Sequence, residues 1–143
     1  MTLRAAVIAE AKLWLGTPYR HQGAARGIGC DCLGLIRGIW RALFGGEPED
    51  VPAYAMDWNA GTAGDPLTMA ARRHFNAVET DAMQPGDLVL FRWREGLPAC
   101  HAAILMPDNR FIHAYERAGV VSSALVPQWR KRIADAFSFP QRG

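Results

Sequence analysis

The apolar residues of this 143-residue chain change period partway along it, and that change constrains the fold more than any other feature. Before Pro85-Gly86 they recur at helical spacing; afterwards they form short runs of strand-forming residues separated by turn residues. Thr2 is placed to cap a first helix running to about Leu15, with Gly16 as its stop. Gly16-Thr17-Pro18-Tyr19 reads as a turn into a glycine-containing loop, Gly23 to Gly29. A second helix is predicted from Asp31 to about Phe44, with a buried stripe at Cys32, Leu35, Ile36, Ile39, Trp40 and Leu43 and a stop at Gly45-Gly46. Residues 47–64 read as a long loop carrying Tyr54 and Trp58, aromatics costly to leave exposed, so the loop is expected either to close over a cleft, the favoured reading, or to dock to a partner. Asp65-Pro66 opens a short helix to about Phe75, a cap followed by proline at the first helical position. Strands are predicted over 88–91, 101–106, 110–115, 120–125 and 136–139. Helices followed by a strand meander describe an α+β domain: N-terminal helices packed on one side of a C-terminal antiparallel sheet, one domain spanning 1–143.

Composition narrows the function classes. A net charge of +2 does not argue for nucleic acid, and the longest basic run, Arg130-Lys131-Arg132, reads as a solvated turn. No segment approaches the roughly 20 apolar residues that span a bilayer. The first apolar stretch, Ala5 to Ala9, is cut short by Glu10 and Lys12 and does not read as a secretory signal. With three cysteines and no such signal, synthesis in a reducing cytosol is expected, where thiols serve catalysis or metal binding more often than disulfides.

Cys32 follows the capping Asp31 and so falls in the first turn of the second helix. Backbone N–H groups and the helix dipole there are expected to lower its pKa and to hold a developing oxyanion. Taken alone, a cysteine in that stripe reads first as a small core residue; the cap, the flanking glycines and the histidines downstream turn the reading toward catalysis. Gly34 inside the helix costs about 1 kcal/mol relative to alanine and calls for a packing or access reason. Downstream, His101 and His113 flank a turn around Pro107-Asp108-Asn109. If all three turn residues form the loop, the two rings share a face as diagonal neighbours; if only Asp108-Asn109 do, they point to opposite faces. In the first case His101 takes the thiol proton and His113 orients its ring. His74, on an Arg-rich helix, is expected in solvent, and His21, in the loop before Cys32, beside the cleft; neither reads as catalytic. A zinc set of Cys30, Cys32, Cys100 and His101 is disfavoured, because C-x-C is not the usual ligand spacing and Cys100 and His101 project to opposite faces of a strand. Cys30 and Cys100 read as bystanders, and no metal or organic cofactor is expected.

Gly16-Thr17-Pro18-Tyr19, Gly29-Cys30-Asp31-Cys32-Leu33-Gly34-Leu35, Pro85-Gly86-Asp87-Leu88-Val89-Leu90-Phe91, His101-Ala102-Ala103-Ile104 and Phe111-Ile112-His113-Ala114 together resemble, in order, the motifs of the NlpC family of cell-wall peptidases. The resemblance implies a papain-like α+β fold and cleavage of peptidoglycan stem peptides beside a γ-linked D-glutamyl residue. It implies Cys32 as nucleophile, His101 as base and His113 as the third polar residue. Tyr19 matches a family tyrosine beside the active-site cysteine, and Tyr19, Asp31 and Leu33 complete the candidate set around oxyanion and substrate. Leu33 departs from the serine most members carry after the nucleophile. With Arg37-Gly38-Ile39-Trp40, Asp57-Trp58 and Phe137-Ser138-Phe139-Pro140, it resembles the branch found in phage tails and gene-transfer agents. That branch implies tail proteins as partners, synthesis in the cytoplasm and action in the cell wall or periplasmic space. The same Cys-His pair could also serve an amidase or acyl-transfer enzyme, and the domain could be a structural tail component.

Overall fold

The computed structural model describes residues 1–49 and 65–141, so Tyr54, Trp58 and the closing role expected of their loop lie outside the described residues. The three longer helices each start where a side chain can satisfy an unpaired N–H group. Helix α1 (Leu3–Leu13) is capped by Thr2, whose hydroxyl accepts from the Ala5 N–H. Helix α2 (Cys32–Phe44) is capped by Asp31 and ends on Gly45 in the left-handed region, φ 85°. Helix α3 (Pro66–His74) is capped by Asp65, which accepts from the Thr68 N–H. Trp14, at the end of α1, anchors the two long helices. Its indole donates to the Glu10 carboxylate at 3.0 Å. Its ring lies on Gly38 of α2, where a Cβ would come within 2.0 Å of the indole carbons, so only glycine admits this contact.

Six antiparallel strands form the main sheet: β3 (Asn76–Val78), β4 (Leu88–Phe91), β5 (His101–Met106), β6 (Arg110–Tyr115), β7 (Gly119–Ala124) and β8 (Ile133–Ser138). Their spatial order is β3-β8-β4-β5-β6-β7. The expected meander therefore covers β4 to β7, whereas β8 returns across the sheet and pairs with β4 instead of continuing beyond β7. The burial of β4 accounts for this: all four of its residues are buried, which requires neighbours on both edges and cover on both faces. Strand β3 and the two-residue ladder β1 (Ala24–Ala25) with β2 (Gly29–Cys30) are too short to carry an alternation pattern and escaped the sequence reading.

On one face, Leu88, Leu90, Ala102, Ile104, Met106 and Ile112 pack against Val7, Trp14, Leu35 and Ile39 of the helices. The N-terminal helices thus occupy one side of the sheet, as expected, and the opposite face is covered by residues that follow β7. Val89, Phe91, Ala103, Leu105 and Phe111 lie beneath Leu125 and Trp129, the latter from a short helix α4 (Pro127–Arg130). Fully burying an aromatic or branched aliphatic side chain is worth about 1.5–3 kcal/mol, so each face contributes materially to stability. At the entry to β4 the fully buried Asp87 carboxylate accepts from Arg4 of α1 at 2.5 Å and from the Gln84 N–H at 2.8 Å, tying helix and sheet together. Among the described residues no helix is long and apolar enough to cross a membrane.

Candidate active site

The segment before α2 is held together by backbone hydrogen bonds across β2. The Cys30 N–H donates to Pro18 O and the Arg20 N–H to Cys30 O, both at 3.0 Å, which brings Tyr19 alongside Cys30. Asp31 locks the arrangement. One carboxylate oxygen accepts from the Gly34 N–H at 2.7 Å and the other from the Gln22 N–H at 2.8 Å, while His21 Nδ1 stands 3.9 Å away. A Cβ on Gly34 would lie 1.7 Å from the carbonyl oxygen of Gly23. The reason for a glycine there is thus the close approach of the loop backbone to the first turn of the helix.

Cys32 is half-buried at the head of α2, and its sulfur accepts backbone hydrogen bonds from Ala102 of β5 and from Leu33. The thiol pKa is pushed up to about 12 by burial and then by the adjacent Asp31 carboxylate, with the two backbone bonds acting in the opposite sense. This overturns the expected lowering. The first-turn position is as anticipated, but desolvation and a neighbouring negative charge outweigh the dipole, so the resting group is a thiol.

The second half of the site comes from the sheet. Met106 pairs with Arg110, so all three residues 107–109 form the hairpin loop, with Asp108 and Asn109 at φ 65° and 58°. His101 and His113 consequently share a face. His101 Nε2 lies 2.8 Å from His113 Nδ1, with the two residues only 6% and 1% exposed. His113 Nε2 in turn lies 2.9 Å from the Ser123 hydroxyl on β7. Burial lowers the His101 pKa to about 3, helped by His113, and burial alone lowers that of His113 to about 4, so both rings rest neutral. Aromatic rings enclose the pair: Trp93 lies nearly parallel to His101 at 5.6 Å between centroids, and Trp129 stands 5.4 Å from His113.

The Ala102 N–H bond to the Cys32 sulfur sets the head of α2, with Asp31, against the start of β5, where His101 stands; Tyr19 lies alongside Cys30 on the helix side. The Tyr19 hydroxyl is raised to about 12 by burial and by Cys32, so it remains a protonated donor. Leu33 packs on the main core and, with Ala102, lines an apolar cavity of about 350 Å³ between α2, α3 and the sheet. Cys30 is a fully buried core residue. Among the described residues no three His, Cys, Asp or Glu side chains converge as metal ligands. His74 is not in solvent as expected: it is half-buried, 2.6 Å from Glu49 and edge-on to Trp40, because α3 turns that side inward. Ser123, Trp93 and Trp129 were missed. The pairing of Ser123 with Phe111 places it diagonally across from His113, a relation visible only once the register of β6 and β7 is known.

Residues 16–137 match the NlpC/P60 family, and the chain belongs to it. It is 31% identical over 138 residues to a probable endopeptidase NlpC of Escherichia coli (strain K12), covering 95% of this chain and 78% of that protein. It is also 31% identical over 125 residues to the murein DD-endopeptidase MepS/murein LD-carboxypeptidase of the same organism. That match covers 86% of this chain but 56% of the relative, so the chain spans little more than half that protein's length. The solved NlpC/p60 domain of the peptidoglycan hydrolase SagA shares the fold, with a TM-score of 0.64, 23% identity, and coverage of 95% of this chain and 98% of that one. The α+β architecture is accordingly the papain-like one, and the protein is a cysteine hydrolase of this family.

Proposed function

We propose that the protein is an endopeptidase of peptidoglycan stem peptides, cutting beside a γ-linked D-glutamyl residue, with Cys32 as nucleophile and His101 as its base. The observation that carries this reading is the 2.8 Å bond from His101 Nε2 to His113 Nδ1. It commits one nitrogen of His101 to orientation and keeps Nδ1 for the thiol. For Nδ1 to accept a proton, Nε2 must carry one and donate it to His113 Nδ1. His113 then holds its own proton on Nε2 and donates it to Ser123 Oγ, 2.9 Å away. Ser123 thereby selects the His113 tautomer, and His113 selects that of His101. Cys32 and His101 both rest neutral, so charge separates only as the reaction proceeds. Sγ attacks the amide carbon while its proton passes to His101 Nδ1, and the oxyanion is received by backbone N–H groups near Cys32 and by the neutral Tyr19 hydroxyl. His101 then protonates the leaving amine, which departs and leaves a thioester. In the second step His101 takes a proton from water, the hydroxide adds to the thioester, and Sγ recovers the proton on release of the acid. Asp31, with both oxygens committed to backbone N–H groups, acts by holding the loop that carries Tyr19.

In this reading the whole chain is one catalytic domain, and it reaches its substrate on a phage-like tail. Leu33 and the Phe137-Ser138-Phe139-Pro140 ending support that delivery by their resemblance to tail-borne members. Digestion of purified peptidoglycan by the wild type and by Cys32→Ala, with products identified by mass spectrometry, tests the chemistry. Stem-peptide cleavage lost in Cys32→Ala is the expected result. Equal cleavage by both would remove Cys32 as nucleophile, and release of the whole stem from the sugar would make the protein an amidase.

A further inference from the structure

The fold splits the Arg130-Lys131-Arg132 run that reads in sequence as a solvated turn. Arg130 and Lys131 are exposed, but Arg132 is half-buried. Its guanidinium carbon lies 5.9 Å from the centre of the Trp93 ring and 5.8 Å from that of Trp129. Trp93, Trp129 and His101 form a triangle with centroid separations of 6.0, 5.6 and 6.0 Å, so Arg132 caps the edge of an aromatic platform whose third corner is the proposed base. The backbone beneath it is fixed: Arg132 O accepts from the Arg92 N–H at 2.8 Å, and the Arg132 N–H donates to Trp129 O at 2.9 Å. Yet the guanidinium has no carboxylate partner among the described residues, whose ion pairs use Arg4, Arg26, Arg37, Arg41 and Arg73. Trp93 is also unusual, since it stacks on a buried histidine while remaining 45% exposed.

A cation–π contact with an aromatic ring holds a guanidinium in place without consuming its N–H donors, a planar fork that matches a carboxylate. Which side of the substrate meets that fork follows from the chemistry. His101 must come within hydrogen-bond reach of the leaving nitrogen to protonate it. The fragment attached to that nitrogen therefore passes His101 toward Trp93 and Arg132, while the acyl fragment lies over Cys32 and Tyr19. We propose that Arg132, held in cation–π contact with Trp93 and Trp129, is a specificity residue that binds a carboxylate on the leaving-amine fragment, with the open face of Trp93 receiving that fragment's carbon chain. The inference rests on the assignment of His101 as base.

The test compares two synthetic γ-D-glutamyl dipeptides that differ only in ending as a free carboxylate or a carboxamide. The wild type should favour the carboxylate in kcat/KM by about 10- to 100-fold, the worth of one charge-assisted pair. Arg132→Gln should reduce that ratio to near 1, chiefly through KM, and Arg132→Lys should leave an intermediate ratio because charge survives without the fork. An unchanged ratio in Arg132→Gln overturns the proposal and makes Arg132 a clasp for the tryptophans. If the wild type cleaves neither peptide, the reading of Cys32 and His101 has failed. The carboxylate site is then decided separately, by titrating free diaminopimelate and its diamide while following tryptophan fluorescence. Binding of the diacid that is lost in Arg132→Gln supports the site; no binding, or binding that Arg132→Gln does not alter, refutes it.

Discussion

The two halves of the site are built by different means. The Cys32 half is local: Asp31 reaches Gly34 three residues on and Gln22 nine residues back, and its contacts are backbone hydrogen bonds and one close approach at Gly34. The histidine half is assembled across β5, β6 and β7, where His101 meets a partner twelve residues away and His113 one ten residues away. A capped helix start tolerates little change in backbone shape, because its hydrogen bonds are short and fixed. A histidine pair beneath tryptophan depends on register and dehydration, and so should respond chiefly to pH and to the identity of its neighbours.

The sharpest break of this comparison is kinetic. His101→Ala and Cys32→Ala should each lower kcat by at least about a thousandfold, and the double variant should be scarcely worse, because groups acting as a unit are not additive. Independent, multiplying losses in a single-turnover assay would mean that the two halves do not work together. Next in size is Gly34→Ala, which sets a Cβ against the fixed carbonyl of Gly23 and should cost about 3 kcal/mol in urea unfolding. Gly38→Ala meets a side chain, the Trp14 ring, instead of fixed backbone, so its cost should be smaller; the reverse order would contradict the rigidity assigned to the loop.

The histidine half should set the acid behaviour. Its two pKa values lie below that of an unfolded histidine, so between about pH 6.5 and 4 the unfolded chain binds more protons than the folded one. Stability contributed by the neutral pair is complete above about pH 6.5 and falls as pH drops, by up to about 1.4 kcal/mol per pH unit for each ring. Thermal melts from pH 7.5 to 4.5 should show that slope, reduced in His113→Leu. The same lowering keeps His101 competent as a base in mild acid, so the acid limb of kcat/KM should lie below pH 6.5 wherever the protein stays folded. A limb above pH 7 would contradict the burial of the base. Smallest is Ser123→Ala: loss of one hydrogen bond, about 1 kcal/mol, should cost roughly fivefold in kcat and leave KM unchanged. Rescue by Ser123→Thr would identify the hydroxyl as the cause, while an effect confined to KM would remove Ser123 from the tautomer relay.

Much of this site was legible because its determinants are short-range. Thr2, Asp31 and Asp65 announce helix starts, since a cap is satisfied within three residues whatever else the chain does. Cys32 could be placed in a first turn for the same reason. Whether His101 and His113 would share a face could not be decided from the residues. Loops of two or three residues both suit Pro107-Asp108-Asn109, and only the pairing of Met106 with Arg110 shows which one forms.

The sequence by itself determined the helix caps, the change from helical to strand period and the residue types of a thiol hydrolase, because these depend on bonds and spacings within a few residues. Tertiary structure alone decided that β8 would insert beside β4, that Trp129 would roof the histidines, that Ser123 would stand within hydrogen-bond distance of His113 and that Cys32 would rest protonated. Pairing partners and the loss of water around a group are properties of distant segments brought together, and no local pattern encodes either.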